Sequence, residues 1–161
     1  PEITINRALQ TYLDKGYSEN WVNQRLKTIE VRKELTNEWE RVGIKKGLEF
    51  AILTDEITKA WADMTTKEYK KLKDLKKENL RDNMTNVELV LNMLAEVSTT
   101  EISKERNPET FEESKTIARQ GGEVAKNARQ NIEKQLGHKV VTAQNAKNIK
   151  KIENKEENNT H

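Results

Sequence analysis

Two histidines, no cysteine and no nucleophile motif leave this sequence few ways to do covalent chemistry. His138 falls in a link and His161 is the last residue, and neither has acidic or histidine neighbours at metal-ligand spacing. Without cysteine there are no disulfides, thiolate metal sites or cysteine nucleophiles. The G-x-S-x-G, P-loop and G-x-G-x-x-G patterns are missing. Carboxylates are plentiful but stand beside lysines at surface-like positions, so no acid/base pair separates from the background. The expectation is a protein that is not an enzyme, with no catalytic, cofactor-binding or metal-ligating residue.

Charge offers more. Between residues 67 and 82, Lys67, Lys70, Lys71, Lys73, Lys76, Lys77 and Arg81 outnumber Glu68, Asp74, Glu78 and Asp82. A second basic group, Arg119, Lys126, Arg129, Lys134 and Lys139, is offset locally by only Glu123 and Glu133. Such clusters could grip phosphates, the source of most sequence-independent affinity for DNA. Lysine alternating with glutamate also dresses ordinary solvated helices, where each i,i+4 pair is worth only ~0.3 kcal/mol. No aromatic interleaves either cluster closely, which argues against stacking on single strands. The whole chain, with 29 basic and 27 acidic residues and a net charge of +2, does not demand nucleic acid as a partner.

Two further groups stand out by spacing. On a helix from Pro108 to Leu136 the residues Ala118, Gly121, Gly122, Ala125 and Ala128 belong to an apolar arc of about 160° whose middle is nearly free of side chains. Glycine inside a helix costs ~1 kcal/mol against alanine, so Gly121 and Gly122 need a reason such as a close helix approach or a kink. Self-association or a partner groove is one reading, and packing on this chain's own central helix is the favoured one. The second group, Ser98, Thr100 and Glu101, projects toward the apolar arc of the preceding helix, where polar groups need partners.

The elements that must position these residues are helical. A length of 161 residues suits one domain with a modest core, and 34% apolar against 35% charged residues suits extended, solvated helices. A first helix is expected from Glu2 to Lys15, closed by Gly16, with Ser18 capping the next. From Ser18 to Val42 the apolar direction changes: Val22, Leu26 and Ile29 point one way, Val31, Leu35, Trp39 and Val42 another. That segment either kinks or contains two helices meeting near Thr36. Gly43 to Gly47 reads as a loop, and Leu48 to Leu53 as extended or as a helix lead-in. Thr54-Asp55-Glu56 looks like a helix start. Thr65 with Glu68 and Thr85 with Glu88 form two capping boxes, the first with Tyr69, Leu72 and Leu75 inward.

The helix after Thr85 spreads apolar residues over about two thirds of its circumference and belongs in the middle of a bundle. Asn107-Pro108 is expected to end it and open the next, which Gly137 closes. His138 to Val141 reads as a link, Thr142 to Ile152 as a short helix and the rest as a polar tail. The division is a helical domain over 1–152 and a tail over 153–161, the fold an all-α irregular bundle of about six helices with at most short extended segments. No apolar run approaches the ~20 residues of a membrane span, and a cytoplasmic protein without membrane contact is expected.

Several segments together resemble a known family. Glu49-Phe-Ala-Ile-Leu-Thr-Asp-Glu-Ile-Thr-Lys-Ala, Leu75-Lys-Lys-Glu-Asn-Leu-Arg-Asp-Asn-Met-Thr-Asn, Ser98-Thr-Thr-Glu-Ile and Gln120-Gly-Gly-Glu-Val-Ala-Lys-Asn-Ala-Arg, with Lys139-Val-Val-Thr and Asn145-Ala-Lys, are similar to the C-terminal half of DNA-damage-inducible protein D and related Bro-N-containing, phage-antirepressor-like bacterial proteins. The resemblance spans roughly residues 17 to 149. It implies a non-enzymatic, damage-inducible regulator of bacterial or prophage origin, working through a protein partner or a second copy of itself as a homodimer. DNA would be reached through an N-terminal Bro-N domain that this chain lacks. Direct, non-specific DNA binding through Lys70, Lys71, Lys73, Lys77 and Arg81 is the alternative, with Arg119, Lys126 and Arg129 as further candidates.

Overall fold

A computed structural model describes the backbone of residues 2–145, with side chains from residue 7 onward. Six helices follow in order: α1 (Glu2–Asp14), α2 (Glu19–Arg41), α3 (Leu48–Ala62), α4 (Thr66–Leu72), α5 (Asn86–Arg106) and α6 (Phe111–Leu136). A 3-10 turn spans Arg81–Asn83, and no strand occurs among the described residues. The all-α expectation is met. α5 packs on α2, α3 and α6, while α3 and α6 also pack on each other; α1 joins through α2. His161, the tail 153–161 and residues 146–152 lie outside the described residues.

The core forms where α6 has least side chain. Ala118 and Ala125 are fully buried, as are Gly121 and Gly122, and Ala128 is half-buried against the core. A methyl group added at Gly121 would stand 1.9 Å from Thr99 Oγ1 and 2.7 Å from the Thr99 backbone nitrogen. One added at Gly122 would stand 2.4 Å from Ala60 Cβ and 2.8 Å from the Ile57 carbonyl oxygen. Adjacent glycines thus admit two different helices, α5 at Gly121 and α3 at Gly122. Trp61, Leu53, Ile57, Leu89, Leu91 and Leu35 fill the surrounding space.

α2 is one uninterrupted helix, so two helices do not meet near Thr36. Trp21, Arg25, Thr28, Arg32, Leu35 and Trp39 recur every three or four residues and form a single inward face. The apolar pattern jumps because the middle of that face is polar. Arg25 donates to Asp82 Oδ1 at 2.8 Å and Thr28 receives an Arg25 hydrogen bond at 2.8 Å. Farther along, Glu38 accepts from Ser103 on α5 at 2.6 Å.

Other boundaries also shift. Residues 48–53 are helical, and Thr54-Asp55-Glu56 lies inside α3 rather than at its start. The N-cap is Gly47 at φ 88°, a conformation open to glycine, and the Thr54 hydroxyl donates to the Phe50 carbonyl one turn back. α6 begins three residues after Pro108: Thr110 caps it, its hydroxyl accepting from the Glu113 amide at 3.1 Å. Asn107 closes α5 in the left-handed region, which separates the two helices. Residues 142–145, expected as helix, are not helical.

Both capping boxes form as expected, and the second does more than cap. Glu88 accepts from the Thr85 amide, from the Tyr69 hydroxyl and from Lys73 Nζ, the last at 2.5 Å, with the Lys73 and Glu88 side chains fully buried. Lys73 also donates to the Gln144 carbonyl, fixing the segment after α6. Burial first, with the Glu88 charge and hydrogen bond added, pushes the Tyr69 hydroxyl far above its ordinary value, so it remains a donor. Of the other residues expected inward on α4, Leu72 is partly exposed at 37% and Leu75 lies beyond the helix end.

Along α5 the buried face is largely polar: Glu88, Asn92, Glu96, Thr99, Thr100 and Ser103 are at most 4% exposed, whereas Val87, Val90 and Val97 face outward. Each buried polar group has a partner, as burial requires. Ser98, Thr100 and Glu101 therefore do not form one cluster. Thr100 bonds to the Glu96 carbonyl, Ser98 is half-buried and Glu101 is exposed near Lys104.

Two measurements follow from this packing. Gly121→Ala gains helix propensity, yet it overpacks against Thr99 backbone atoms that no rotamer change removes, and chemical denaturation should show a net loss of ~1–3 kcal/mol. For Glu38, burial opposes ionisation, but hydrogen bonds from Arg41 and Ser103 and the Arg41 and Lys104 charges outweigh it, holding the carboxyl below its ordinary value. The unfolded chain then takes up this proton before the folded one, so Glu38 stabilises fully above pH 4.5 and loses its effect as pH falls through the lower folded value. Melting across acidic pH should show a shallower decline for Glu38→Gln than for the parent protein.

Candidate interaction groove

The basic residues separate into two populations once the helices are assembled. The candidates on α6 are paired across the seam with α3: Arg119 with Glu56 at 2.9 Å, and Lys126 with Asp63 at 3.1 Å. Arg129 binds Asp63 at 2.6 Å, Glu133 at 2.8 Å and the Trp61 carbonyl at 2.7 Å, which closes the C-terminal end of α3. Their partners Glu56 and Asp63 are distant in sequence, so local counting of Glu123 and Glu133 missed them. In the first cluster Lys73 is inside the protein on Glu88, and Arg81 is held by Glu96 at 2.6 Å. Lys67, Lys70, Lys71, Lys76 and Lys77 make no side-chain ion pair among the described residues.

Four of these five unpaired lysines, all but Lys77, line a groove of about 1060 Å³ between α3, α4 and the segment after α4. Phe50, Ala51, Ile52 and Leu75 give it apolar surface, and Phe50 itself rests on Trp39 with ring centroids 5.2 Å apart. Thr65 and Glu68 fix the start of α4, and the Asp55 carboxylate accepts from the Thr66 amide at 2.8 Å, tying α4 to α3. Asp74, also on the groove, takes a positive φ of 57° as the chain turns out of α4. These contacts set the distance between the two walls.

Arg32 lines the groove from α2, and composition did not single it out. Its signal was positional: it falls in register with Trp21, Leu35 and Trp39 on the inward face of α2. Arg32 Nη2 donates to Thr54 Oγ1 at 2.6 Å, its guanidinium lies 5.0 Å over the Trp39 ring, and Nη1 is 3.6 Å from Glu96 Oε1 with no hydrogen-bond partner. A smaller recess of about 190 Å³, lined by Arg32, Arg81, Lys70, Asn79, Asn92 and neighbouring threonines, adjoins it and shares Arg32, Thr54, Thr66 and Lys70 with the larger space. Burial pushes the Arg32 guanidinium below its ordinary value; Glu96 opposes this and Arg81 adds to it.

The loop wall is built from the segment Asn79 to Thr85. The Asn79 carboxamide accepts from the Arg81 and Asp82 amides, and Asn83 donates back to the Asn79 carbonyl. Asp82 accepts from Tyr12 and Arg25 at 2.7 and 2.8 Å, and Trp21 Nε1 donates to the Met84 carbonyl at 2.8 Å. Burial first, then the hydrogen bond to Asp82, pushes the Tyr12 hydroxyl up to about 12. This segment is thus bound to α1, α2 and α5 at once, and it presents Arg81 and Asn79 to the recess from a fixed frame.

Among the described residues no group of three His, Asp or Glu side chains is arranged to hold a metal ion. No helix among them is long and apolar enough to cross a membrane. The model of the DinD C-terminal domain family matches residues 16–152. Searches of curated proteins and of solved structures gave no match.

Proposed function

As the chain belongs to the DinD C-terminal domain family, we propose that it is a non-catalytic interaction module of a bacterial or prophage regulator in the DNA-damage response, and that the α3–α4 groove is its working surface. The observation that carries this reading is the pairing of an open, partly apolar groove with lysines that form no side-chain ion pair among the described residues. Buried ionisable groups elsewhere, such as Lys73, Glu88 and Arg129, are bound in pairs that join helices. The small-residue face of α6 is occupied by α3 and α5, so a homodimer would have to use another surface.

A second reading, direct DNA binding, draws on Lys70, Lys71 and Lys77, which form no side-chain ion pair among the described residues; Lys73, Arg81 and Arg129 are already engaged within the protein. A photo-crosslinking amino acid placed at Lys71, in cells exposed to a DNA-damaging agent, tests the two together. Adducts to protein at position 71, and none from the same group placed at Glu123 on α6, are expected. Adducts to DNA alone, or no adduct at position 71, would overturn the interaction-module reading.

A further inference from the structure

We propose that the α3–α4 groove binds an acidic peptide segment carrying apolar side chains, with a carboxylate of that segment seated at the recess bordered by Arg32 and Arg81. This rests on the interaction-module reading and names the chemistry of the partner. Three features of the site select that ligand.

The first is charge. Among the described residues, Lys67, Lys70, Lys71 and Lys76 with Arg32 and Arg81 line the two spaces beside Asp55 and Asp74, with Glu96 against both arginines and Glu78 near Lys76; Asp55 is already engaged by the Thr66 amide. A complementary ligand is anionic. The second is the recess. Two guanidinium groups share the single carboxylate of Glu96, and Arg32 Nη1 is left without a hydrogen bond. Both arginine side chains keep about a fifth of their surface exposed, 22% for Arg32 and 21% for Arg81, and a second carboxylate at the recess they line balances the two guanidinium charges in the planar geometry that arginine favours. The threonine, asparagine and lysine side chains around the recess add further donors.

The third feature separates peptide from nucleic acid. The wider groove offers Phe50, Ala51, Ile52 and Leu75, and the exposed part of this surface is aliphatic apart from Phe50, which already rests on Trp39. Phosphates along a strand need a continuous basic track, and successive bases need more than one aromatic platform. Aliphatic pockets beneath a lysine rim instead match side chains of leucine or phenylalanine type alternating with aspartate or glutamate. Lysine stems can lie along apolar surface while their ammonium groups stay in water, so such a rim is compatible with an apolar floor.

The test uses a short fluorescent peptide of alternating aspartate and leucine, the same peptide with asparagine for aspartate, and a single-stranded oligonucleotide of similar length, each titrated against the whole chain. The acidic peptide should bind about tenfold or more tightly than its asparagine counterpart and more tightly than the oligonucleotide, with affinity weakened by salt. The double variant Lys70→Glu/Lys71→Glu, which changes one half-buried and one exposed position on the groove, should abolish that preference with circular dichroism unchanged. Arg32→Gln should reduce it with circular dichroism unchanged. Equal binding of the two peptides, tighter binding of the oligonucleotide, or acidic-peptide binding untouched by the lysine reversal would overturn the inference. Protein adducts at position 71 in cells together with any of those results would leave the interaction-module reading standing and remove only the acidic ligand.

Discussion

Everything in this fold is arranged around how closely α6 can approach its neighbours. Gly121 lets α6 meet the backbone of α5 at Thr99, and Gly122 lets it meet α3 at Ala60 and Ile57. Only the Thr99 hydroxyl and the Ala60 methyl stand at these points, so close contact of backbone with small side chains replaces interdigitated leucines. The helix-propensity cost of two glycines is offset by three helices packed at short range. With α3 and α6 fixed on α5, the remaining surface of α5 is left to α2, and the α3–α4 groove inherits its shape from the position of α3.

A core this thin in apolar residues uses paired polar groups to set register. Glu88, Glu96 and Ser103 lie on the buried side of α5, about two turns apart, and each receives a different element: α4 through Tyr69 and Lys73, the 79–85 segment through Arg81, and α2 through Glu38. Breaking any one leaves a buried charge or acceptor uncompensated, which penalises misregistered packings more than it strengthens the right one. Arg129 does the same work between α6 and the end of α3. Arg32 and Arg81 share the Glu96 carboxylate at the edge of the recess, where the paired polar core borders open space.

Features encoded within a few residues were legible in the sequence. Thr65 and Glu68, Thr85 and Glu88, and Gly137 mark helix ends through contacts between near neighbours, and the structure has them. The glycine-alanine face of α6 was legible too, because its cost in propensity required a compensating contact. Features that depend on distant partners were not. α2 looked broken at Thr36 because Arg25, Thr28 and Arg32 occupy inward positions that apolar periodicity treats as surface, and their acceptors lie on other elements. Lys73 and Arg81 counted toward a basic patch until Glu88 and Glu96 were brought beside them by folding. The segment Asn79 to Thr85, one of those carrying the family resemblance, ties α1, α2 and α5 together and in doing so holds Asn79 and Arg81 at the recess.

The same division explains why the groove was only half visible beforehand. Its lysines were apparent as a run; its apolar floor and Arg32 came from helices far away in sequence. Native-state hydrogen exchange tests the organising contact most directly, since it reports which segments open together. The account predicts that amides of α5 near Thr99 and of α6 near Gly121 and Gly122 are the slowest to exchange and do so only with global unfolding. Exchange of α6 through a separate, lower-energy opening while α5 stays protected would contradict it.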